Sequence, residues 1–344
     1  MTDKQWDELR TVVSGRELKI PSTGFIIDSP WLPHWAGLSM LDYYTNEQLW
    51  FEANKSAVSQ FPSCMFLPGF WSEFGMCTEP SAFGARCIFH EDEFPFAEKI
   101  VESGDEIASI KKPNPRTDGL LPFVIKRLEH SQESMARIGH QVRFAVSRGP
   151  LNIASFLMGS TELMMEMSLN PERAERLIGL VTDFVHDWLE VQIGTFPSID
   201  GVLLLDDIVG FIGEEDFKVF ALPHLKRLFT AFDLSVRFFH NDAPCEVSSP
   251  FLSEIGVNLF NMGVQSSLAE VRRLAGKSVA LIGNVPPRDV LASGTVEEVA
   301  AAVADQRRVF PDTRGVVFSC GGGMPPGVTT ENIKAFIEAT ARAD

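Results

Sequence analysis

The chain has 344 residues, of which 45% are hydrophobic and 22% are charged, a composition typical of ordinary soluble enzymes with a sizeable core. Its 46 Asp and Glu residues outnumber 30 Lys and Arg residues, and the formal charge of −16 would repel a phosphate backbone, which excludes nucleic acid as a partner. The sequence lacks a signal-peptide pattern, an apolar run of about 18 residues and regular cysteine spacing, so we expect a cytoplasmic protein without membrane contact.

The first 61 residues are rich in Trp, Pro and turn residues, and no confident strand lies among them. We therefore predict that residues 1–61 form an N-terminal helical and loop extension. This extension is expected to pack over one end of the domain that residues 62–344 form.

Apolar runs typical of buried strands recur along the rest of the chain. The eight runs are residues 64–67, 86–89, 142–146, 201–205, 236–239, 257–260, 279–282 and 316–318. Segments with helical spacing lie between most of them, including residues 171–193, 216–232 and 296–309. Continuous apolar strands that alternate with helices indicate a parallel sheet, and about eight such units indicate closure into a barrel. We predict a (β/α)8 TIM barrel that forms a single domain.

Side chains that can bind metals follow two of the predicted strands. His240 and Asp242 lie two residues apart, so in a continuing strand both face the same side, which at a barrel tip is the mouth. Cys320 ends another strand and is expected to face the same opening. Imidazole, carboxylate and thiolate are a three-ligand set that suits zinc and leaves a fourth position open. Alternatively, His240 acts as an acid or base, or only structurally, beside an inert Cys320.

A pair of acids, Asp206 and Asp207, follows the predicted strand 201–205. Because side chains alternate along a strand, one carboxylate should project into the mouth while the other turns toward the barrel wall or the helix layer. Either acid is a candidate catalytic residue. The alternative interpretation is that the pair caps a helix.

A glycine run, Gly321-Gly322-Gly323, follows the last predicted strand and precedes Pro325-Pro326. Its backbone N–H groups would lie beside a predicted helix, an arrangement that holds anions at the last strands of many barrels. The run therefore predicts a substrate- or cofactor-binding loop, and a simple tight turn is the alternative.

Several segments together resemble the uroporphyrinogen decarboxylase family in its broad sense, which includes cobalamin-related methyltransferases. The segments are Arg148-Gly149-Pro150, Gly159, Leu222-Pro223-His224-Leu225-Lys226, Phe239-His240-Asn241-Asp242, Gly283-Asn284-Val285 and Ser319-Cys320-Gly321-Gly322-Gly323-Met324-Pro325-Pro326-Gly327. The resemblance extends from about Trp31 to the C-terminus and implies a (β/α)8 barrel, in agreement with the alternation of strands and helices. It is specific to the superfamily and not to one reaction.

The methyltransferase branch of this family has a His-x-Cys pair and a distant Cys that bind zinc, which activates a thiol to accept a methyl group from a methylcobamide. The resemblance places His240 on the His and Cys320 on the distant Cys, while Asp242 stands where the nearer Cys is expected. Because carboxylate is a harder ligand than thiolate, we expect weaker zinc binding or a different preferred metal. Glu79 resembles an acid of the same branch and is a further candidate for the mouth.

The decarboxylase branch carries an Arg-Gln-Ala-Gly-Arg motif whose arginines help to hold a substrate with many carboxylates. The matching segment here is His34-Trp35-Ala36-Gly37-Leu38, so both arginines are absent. Each lost guanidinium removes charge-assisted contacts of about 1.5–3 kcal/mol, which disfavours a polyanionic tetrapyrrole as the substrate. Aromatic side chains in this region suit a flat or apolar ligand instead. The predicted aromatic wall consists of Trp31, His34, Trp35, Phe70 and Trp71.

The leading hypothesis is a methyl- or alkyl-transferase in which His240, Cys320 and Asp242 hold a divalent metal, expected to be zinc. The metal would activate an acceptor that attacks a cobamide-bound methyl group, and the cobamide would be free or carried by a small corrinoid protein docked over the mouth. The alternative is a metal-free decarboxylase or lyase in which Asp206 or Asp207 handles a proton and His240 assists. A third possibility is a binding protein that has kept the barrel and lost the chemistry.

Overall fold

The computed structural model describes residues 1–27 and 30–342. Its centre is a sheet of eight parallel strands. The strands are β1 (Ser22–Ile26), β2 (Cys64–Leu67), β3 (Phe144–Arg148), β4 (Gly201–Leu205), β5 (Val236–Asn241), β6 (Leu259–Met262), β7 (Ala280–Val285) and β8 (Val316–Cys320).

The sheet is curled so that its first and last strands in chain order are neighbours. The hydrogen-bonded order is β2-β1-β8-β7-β6-β5-β4-β3, and β1 pairs with β8 in a register that sets Ser22 opposite Val317. Within the described ranges, β2 and β3 form no ladder with each other. This strand order, with helices between the strands, is consistent with the predicted (β/α)8 barrel.

Helices alternate with the strands and form an outer layer. The longer ones are α1 (Asp3–Val13), α2 (Glu47–Gln60), α3 (Leu121–Arg137), α4 (Pro150–Met158), α5 (Ser160–Leu169), α6 (Pro171–Thr195), α7 (Leu222–Thr230), α8 (Leu268–Ala275), α9 (Val296–Val309) and α10 (Thr330–Ala341). Shorter helical turns comprise Leu32–Trp35, Met40–Thr45, Pro80–Phe83, Gly104–Ser109, Asp207–Phe211, Glu214–Asp216, Phe217–Ala221, Ser249–Phe251, Leu252–Ile255 and Pro287–Ala292. In the part of the chain that the structure describes, none of the helices combines the length and the apolar character needed to cross a bilayer.

Two of the predicted helices begin at local start signals. The helix predicted at residues 296–309 is confirmed as α9, where the Thr295 hydroxyl accepts from Glu298 N and the Glu298 carboxylate accepts from Thr295 N. The helix predicted at residues 171–193 is α6, with Pro171 at its first position. Both helices pack apolar side chains against the sheet.

Seven of the eight predicted strand runs overlap strands of the sheet, and one does not. The run 86–89 forms a separate antiparallel pair, Cys87–Ile88 with Phe96–Ala97. The eighth strand is instead β1, which lies within the region 1–61 that the sequence assigns to the extension. Its sequence is interrupted by Gly24, where a Cβ atom would lie 3.0 Å from Val317 Cγ1 and 3.1 Å from Met65 O. Close packing therefore requires glycine at position 24, and this glycine interrupts the apolar run by which a buried strand is recognised in the sequence.

Alternate residues of each strand enter two different apolar layers. Phe144, Leu203 and Phe238 belong to a cluster inside the barrel, whereas Leu204 and Phe239 belong to the larger core between the strands and the helices. Trp6 of α1 joins the inner cluster, with its ring 5.2 Å from that of Phe144. This alternation decides which side chains reach the mouth at the carboxyl ends of the strands.

Candidate active site at the carboxyl ends of the strands

His240 lies near the end of β5 and follows the inner residue Phe238 at an interval of two. Only 5% of its surface is exposed. Its Nδ1 lies 2.8 Å from Asn261 Oδ1, and Asn261 Nδ2 donates to Ile282 O at 2.9 Å. Since the amide nitrogen is used by Ile282, the amide oxygen faces the imidazole and accepts from Nδ1–H. Nε2 is then the ring nitrogen directed to the mouth.

Two carboxylates lie beside this nitrogen. Asp207 Oδ1 is 3.7 Å from His240 Nε2 and accepts a hydrogen bond from Asp242 N at 3.0 Å. One ligand atom from each of Asp207, His240 and Asp242 lies within 4.8 Å of the others. Asn152 Oδ1 accepts from Asp207 N at 3.0 Å, so the turn that carries Asp207 is tied to α4. The three side chains therefore form a compact group of one imidazole and two carboxylates.

The carboxyl of Asp242 has a pKa above its ordinary value. Desolvation at the mouth is the largest cause, and the nearby charge of Asp207 adds to it. His240 and the exposed Arg288 act in the opposite direction. Asp242 therefore holds a proton more readily than an ordinary surface aspartate.

The structure does not bring Cys320 into this group. Its side chain is fully buried, with Sγ 3.7 Å from Gly322 O and 3.9 Å from Gly323 O. Val317 of β8 belongs to the inner cluster, whereas Phe318 and Cys320 belong to the core beneath the helices. A position at the end of a strand is not sufficient to reach the mouth, because the side of the strand also matters.

The glycine run lies at the mouth, where it allows a close approach of the backbone. Gly322 has a φ of +75°, and a Cβ atom there would lie 2.8 Å from Asp242 Oδ2. Gly321 N donates to Val285 O at 2.9 Å and Gly322 N donates to Met262 O at 3.0 Å. These two N–H groups are therefore engaged within the fold, which argues against the anion cradle expected at Gly321, Gly322 and Gly323.

Asp206 faces away from Asp207, as the alternation of the strand predicts. Its buried carboxylate accepts from Leu151 N at 2.9 Å and from Asn152 N at 3.0 Å, at the start of α4. Burial raises the pKa of Asp206 to about 8, the charge of Asp207 acts in the same direction, and the backbone hydrogen bonds oppose them. Asp206 thus positions α4 and does not belong to the group at the mouth.

Glu79 belongs to a buried ionic network in the opening between β2 and β3. Arg148 Nη1 donates to Glu79 Oε2 at 3.2 Å, and Arg148 Nη2 donates to Glu73 Oε2 at 3.1 Å. Burial lowers the pKa of Arg148, but Glu79 and Glu73 more than offset this, so the net change is upward. The network lines a cavity of about 30 Å³ together with Trp71. Glu79 is therefore placed to orient Arg148.

The predicted aromatic residues are distributed over different surroundings. Trp71 is 8% exposed and belongs to the inner cluster. Trp35 stacks on the buried Trp31 at 5.1 Å, and its Nε1 donates to Thr330 Oγ1 at 3.1 Å, beside α10. His34 is exposed, with Nε2 3.8 Å from Asp92 Oδ1. These residues do not form the single aromatic wall that the sequence predicts, and only Trp71 packs inside the barrel.

The sequence prediction missed residues that hold the site in place. Asn261 fixes the imidazole, Asn152 anchors the turn at Asp207, and Glu73 shares Arg148 with Glu79. Their local signals are weak, because buried Asn and Glu residues are recognised only through partners distant in sequence. Asn261 directly follows the predicted strand 257–260, and this position at a strand end is the one sequence feature that indicates a residue near the mouth.

Comparison with known proteins places the chain in a family. A sequence model described as Uroporphyrinogen decarboxylase (URO-D) matches residues 34–343. Among curated relatives, the uroporphyrinogen decarboxylase of Thioalkalivibrio sulfidiphilus is 24% identical over 279 residues, 77% of each chain. That of Chloroherpeton thalassium is 27% identical over 175 residues, 49% of this chain and 48% of that protein. The chain thus spans about half the length of the latter relative.

Two solved structures of differently named proteins share this fold. A methyltransferase from Methanosarcina mazei superposes with a TM-score of 0.80 at 16% identity, over 96% of both chains. A B12-independent methionine synthase from Shewanella sp. W3-18-1 gives 0.59 at 12% identity, over 93% of this chain and 97% of that one. At these identities the likeness shows the fold alone. Because the family model matches residues 34–343, this protein belongs to the uroporphyrinogen decarboxylase (URO-D) family.

Proposed function

We propose that this protein is a methyl- or alkyl-transferase of the URO-D-like superfamily, in which a divalent metal activates the acceptor of a methyl group carried by a cobamide. The observation that carries the proposal is the group formed by Asp207, His240 and Asp242 at the ends of β4 and β5. Barrel enzymes place their chemistry at this end of the strands. The group differs from the ligand set predicted from the sequence, because Asp207 takes the place of Cys320.

The residues present suit a divalent cation. Asn261 accepts Nδ1–H of His240, as a second partner commonly does for a metal-binding imidazole, and Nε2 is left as the ligand atom. Asp207 and Asp242 supply oxygen ligands and negative charge. Without a thiolate, this set is harder than the zinc sites of the methyltransferase branch, so it also suits harder ions such as Mn²⁺. A bound metal would supply Lewis acidity that lowers the pKa of a coordinated acceptor.

Asp242 and Gly322 give the mouth properties that suit a bound cation. Asp242 has a raised pKa because it is desolvated and lies beside Asp207. A cation favours the ionised carboxylate, so a cation and a proton compete for Asp242. Gly322 gives this carboxylate room, since any side chain there would meet Asp242 Oδ2. The metal affinity is therefore expected to increase with pH across the titration of Asp242.

A cobamide, free or on a corrinoid protein, is the methyl donor in this proposal. The absence of arginines in the segment His34–Leu38 disfavours a polyanionic tetrapyrrole as substrate. Trp71 adds apolar surface inside the barrel. The solved methyltransferase from Methanosarcina mazei shares the fold, which is compatible with methyl transfer and does not select it.

A metal-free decarboxylase or lyase is a second candidate, and two observations favour it. The curated relatives from Thioalkalivibrio sulfidiphilus and Chloroherpeton thalassium are named uroporphyrinogen decarboxylase. In addition, Asp242 lies at the mouth with a raised pKa, so its carboxyl is a candidate donor of a proton to a carbanion left by loss of carbon dioxide. This candidate requires no metal and predicts activity that chelators leave unchanged.

A methyl-transfer assay separates the two candidates. Methylcobalamin serves as the donor and 2-mercaptoethanol as a small thiol acceptor, and loss of the methyl–cobalt bond is followed spectroscopically. We expect turnover that a strong chelator abolishes and a divalent metal restores, and that His240→Ala lacks. His130→Ala is the matched control, because His130 is exposed and lies 3.3 Å from Glu47, away from the mouth. Turnover that persists in the chelator and in His240→Ala would contradict the proposal.

A further inference from the structure

Two cysteines outside the mouth lie against each other. Cys77 precedes the helical turn Pro80–Phe83, and Cys87 begins the antiparallel pair with Phe96–Ala97. Cys87 Sγ lies 4.0 Å from Cys77 O, so the two cysteines are neighbours in the fold. Both are free thiols. The fold therefore brings together two cysteines that nine residues separate in the sequence.

The two thiols have unequal surroundings. Cys77 is completely buried, whereas Cys87 is half-buried and reachable from solvent. The neighbouring Cys77 thiol lowers the pKa of Cys87, whereas the neighbouring Cys87 thiol and burial raise the pKa of Cys77. An accessible thiol with a lowered pKa beside a buried second thiol is the arrangement found in redox-sensitive cysteine pairs.

We propose that Cys77 and Cys87 form a peroxide-sensitive pair that closes to an intramolecular disulfide. The Cys87 thiolate attacks one peroxide oxygen, the O–O bond breaks, and Cys87 becomes a sulfenic acid while the other oxygen leaves as water after taking up a proton. The sulfur of Cys77 then attacks the sulfur of Cys87. Its proton and the departing hydroxide leave as a second water. Two thiols are oxidised and one hydrogen peroxide is reduced to two water molecules.

The loop between Cys77 and Cys87 carries Glu79, which belongs to the ionic network between β2 and β3. Glu79 lies two residues after Cys77, and its carboxylate accepts from both Arg148 N and Arg148 Nη1. A disulfide would close the loop 77–87 around Glu79 and restrict the conformations of that loop. The Cys77–Cys87 pair lies outside the mouth, so its oxidation does not depend on the proposed methyl transfer.

Peptide mapping of the full-length protein tests the proposal. Trypsin cleaves after Arg86, an exposed residue, and this separates Cys87 from the peptide that carries Cys77. After treatment with hydrogen peroxide, we expect an unreduced digest to contain the two peptides joined, and a reductant to separate them. Cys77→Ser and Cys87→Ser should each lose the joined species. Cys245→Ser, which alters a buried cysteine outside the pair, should keep it.

The variants make the outcome unambiguous. The peptide with Cys77 also contains Cys64, so a joined species that survives in Cys77→Ser would assign the link to Cys64 and overturn the proposal. Progressive oxidation of Cys87 to a sulfinic acid in the unaltered protein, without a joined species, would overturn it as well. In Cys77→Ser, by contrast, sulfinic acid on Cys87 is the expected product, because the resolving thiol is absent.

Discussion

At the scale of single residues, the site depends on hydrogen bonds that set directions. Asn261 is completely buried, donates to Ile282 O and accepts from His240 Nδ1, so the imidazole has one defined tautomer. Asp207 in turn accepts from Asp242 N, which orders the second carboxylate. The geometry of the candidate site therefore depends on hydrogen bonds between residues at the ends of neighbouring strands.

Replacing Asn261 should weaken metal binding without removing a ligand. In Asn261→Leu the imidazole loses the acceptor for Nδ1–H, and loss of such a partner typically lowers metal affinity about 10–100-fold. Asn261→Asp retains an acceptor and should stay close to the unaltered affinity. Competition with a chromophoric chelator measures the affinities. Asn258→Ala is the control, because Asn258 anchors the other end of β5 through Arg237 N, and an equal loss there would contradict the assignment.

A side chain at position 322 should disturb the mouth more than the same change elsewhere. Gly322→Ala imposes a φ of +75° on alanine, at about 1–2 kcal/mol, and adds a methyl group 2.8 Å from Asp242 Oδ2. Gly139→Ala has a φ of +74° with nothing within 4 Å of its Cβ, so it isolates the backbone cost. We expect similar unfolding midpoints for the two variants but weakened metal binding only in Gly322→Ala. Equal metal affinities would refute the role of Gly322.

The site residues illustrate what the sequence could predict. His240 and Asp242 were identified because a strand that continues through them sends both to one side. The position of Cys320 at a strand end and the family resemblance both predict a side chain at the mouth, but its burial beside Phe318 shows that the side it faces cannot be predicted without the register. Asn261 and Asn152 could not be predicted, since their importance arises from partners that folding supplies.

At the scale of elements, local patterns predicted helices and most strands. β1 was the exception, because Gly24 and the hydroxyl residues Ser22 and Thr23 break the apolar run. Gly24 is required by the contact with Val317 of β8, a constraint that appears only when the sheet has curled. The start of α4 depends likewise on Asp206, which lies far away in sequence at the end of β4.

The pH dependence of stability should report on Asp206. Its pKa in the folded protein is raised to about 8 from an ordinary 3.8, so between these values the folded chain keeps a proton that the unfolded chain releases. The free energy of unfolding should therefore fall as pH rises through this window, because unfolding releases a proton. Asp206→Asn should flatten this decline, at a constant cost of about 1 kcal/mol for a lost hydrogen bond. Chemical denaturation over a pH series tests this. An unchanged decline in Asp206→Asn would refute it.

At the scale of the whole molecule, ladders join all neighbouring strands of the barrel within residues 1–27 and 30–342, except β2 and β3. There, within the described residues, Arg148 of β3 connects to Glu73 and Glu79, which follow β2 in the chain. Side-chain ion pairs thus take the place of main-chain pairing at this opening. The sequence predicted a closed barrel, and it could not reveal that one side is bridged by buried charges.

Removing the guanidinium of Arg148, which connects Glu73 and Glu79 across the opening, should lower the stability of the whole protein. Arg148→Met leaves two buried carboxylates without their partner, at a cost of about 3–5 kcal/mol. Arg86→Met is the control, because Arg86 pairs with Glu98 at the surface, where ion pairs contribute little. Denaturant midpoints compare the two variants. Similar midpoints for both would show that the network does not bridge the opening.

The most direct test of the account is the metal content of ligand variants after equilibration with zinc or manganese. Elemental analysis should find one bound ion per chain in the unaltered protein and in Cys320→Ser, and little in His240→Ala and Asp207→Ala. This result would establish the group of Asp207, His240 and Asp242 as the binding site. Retention of metal by Asp207→Ala together with its loss from Cys320→Ser would contradict the account.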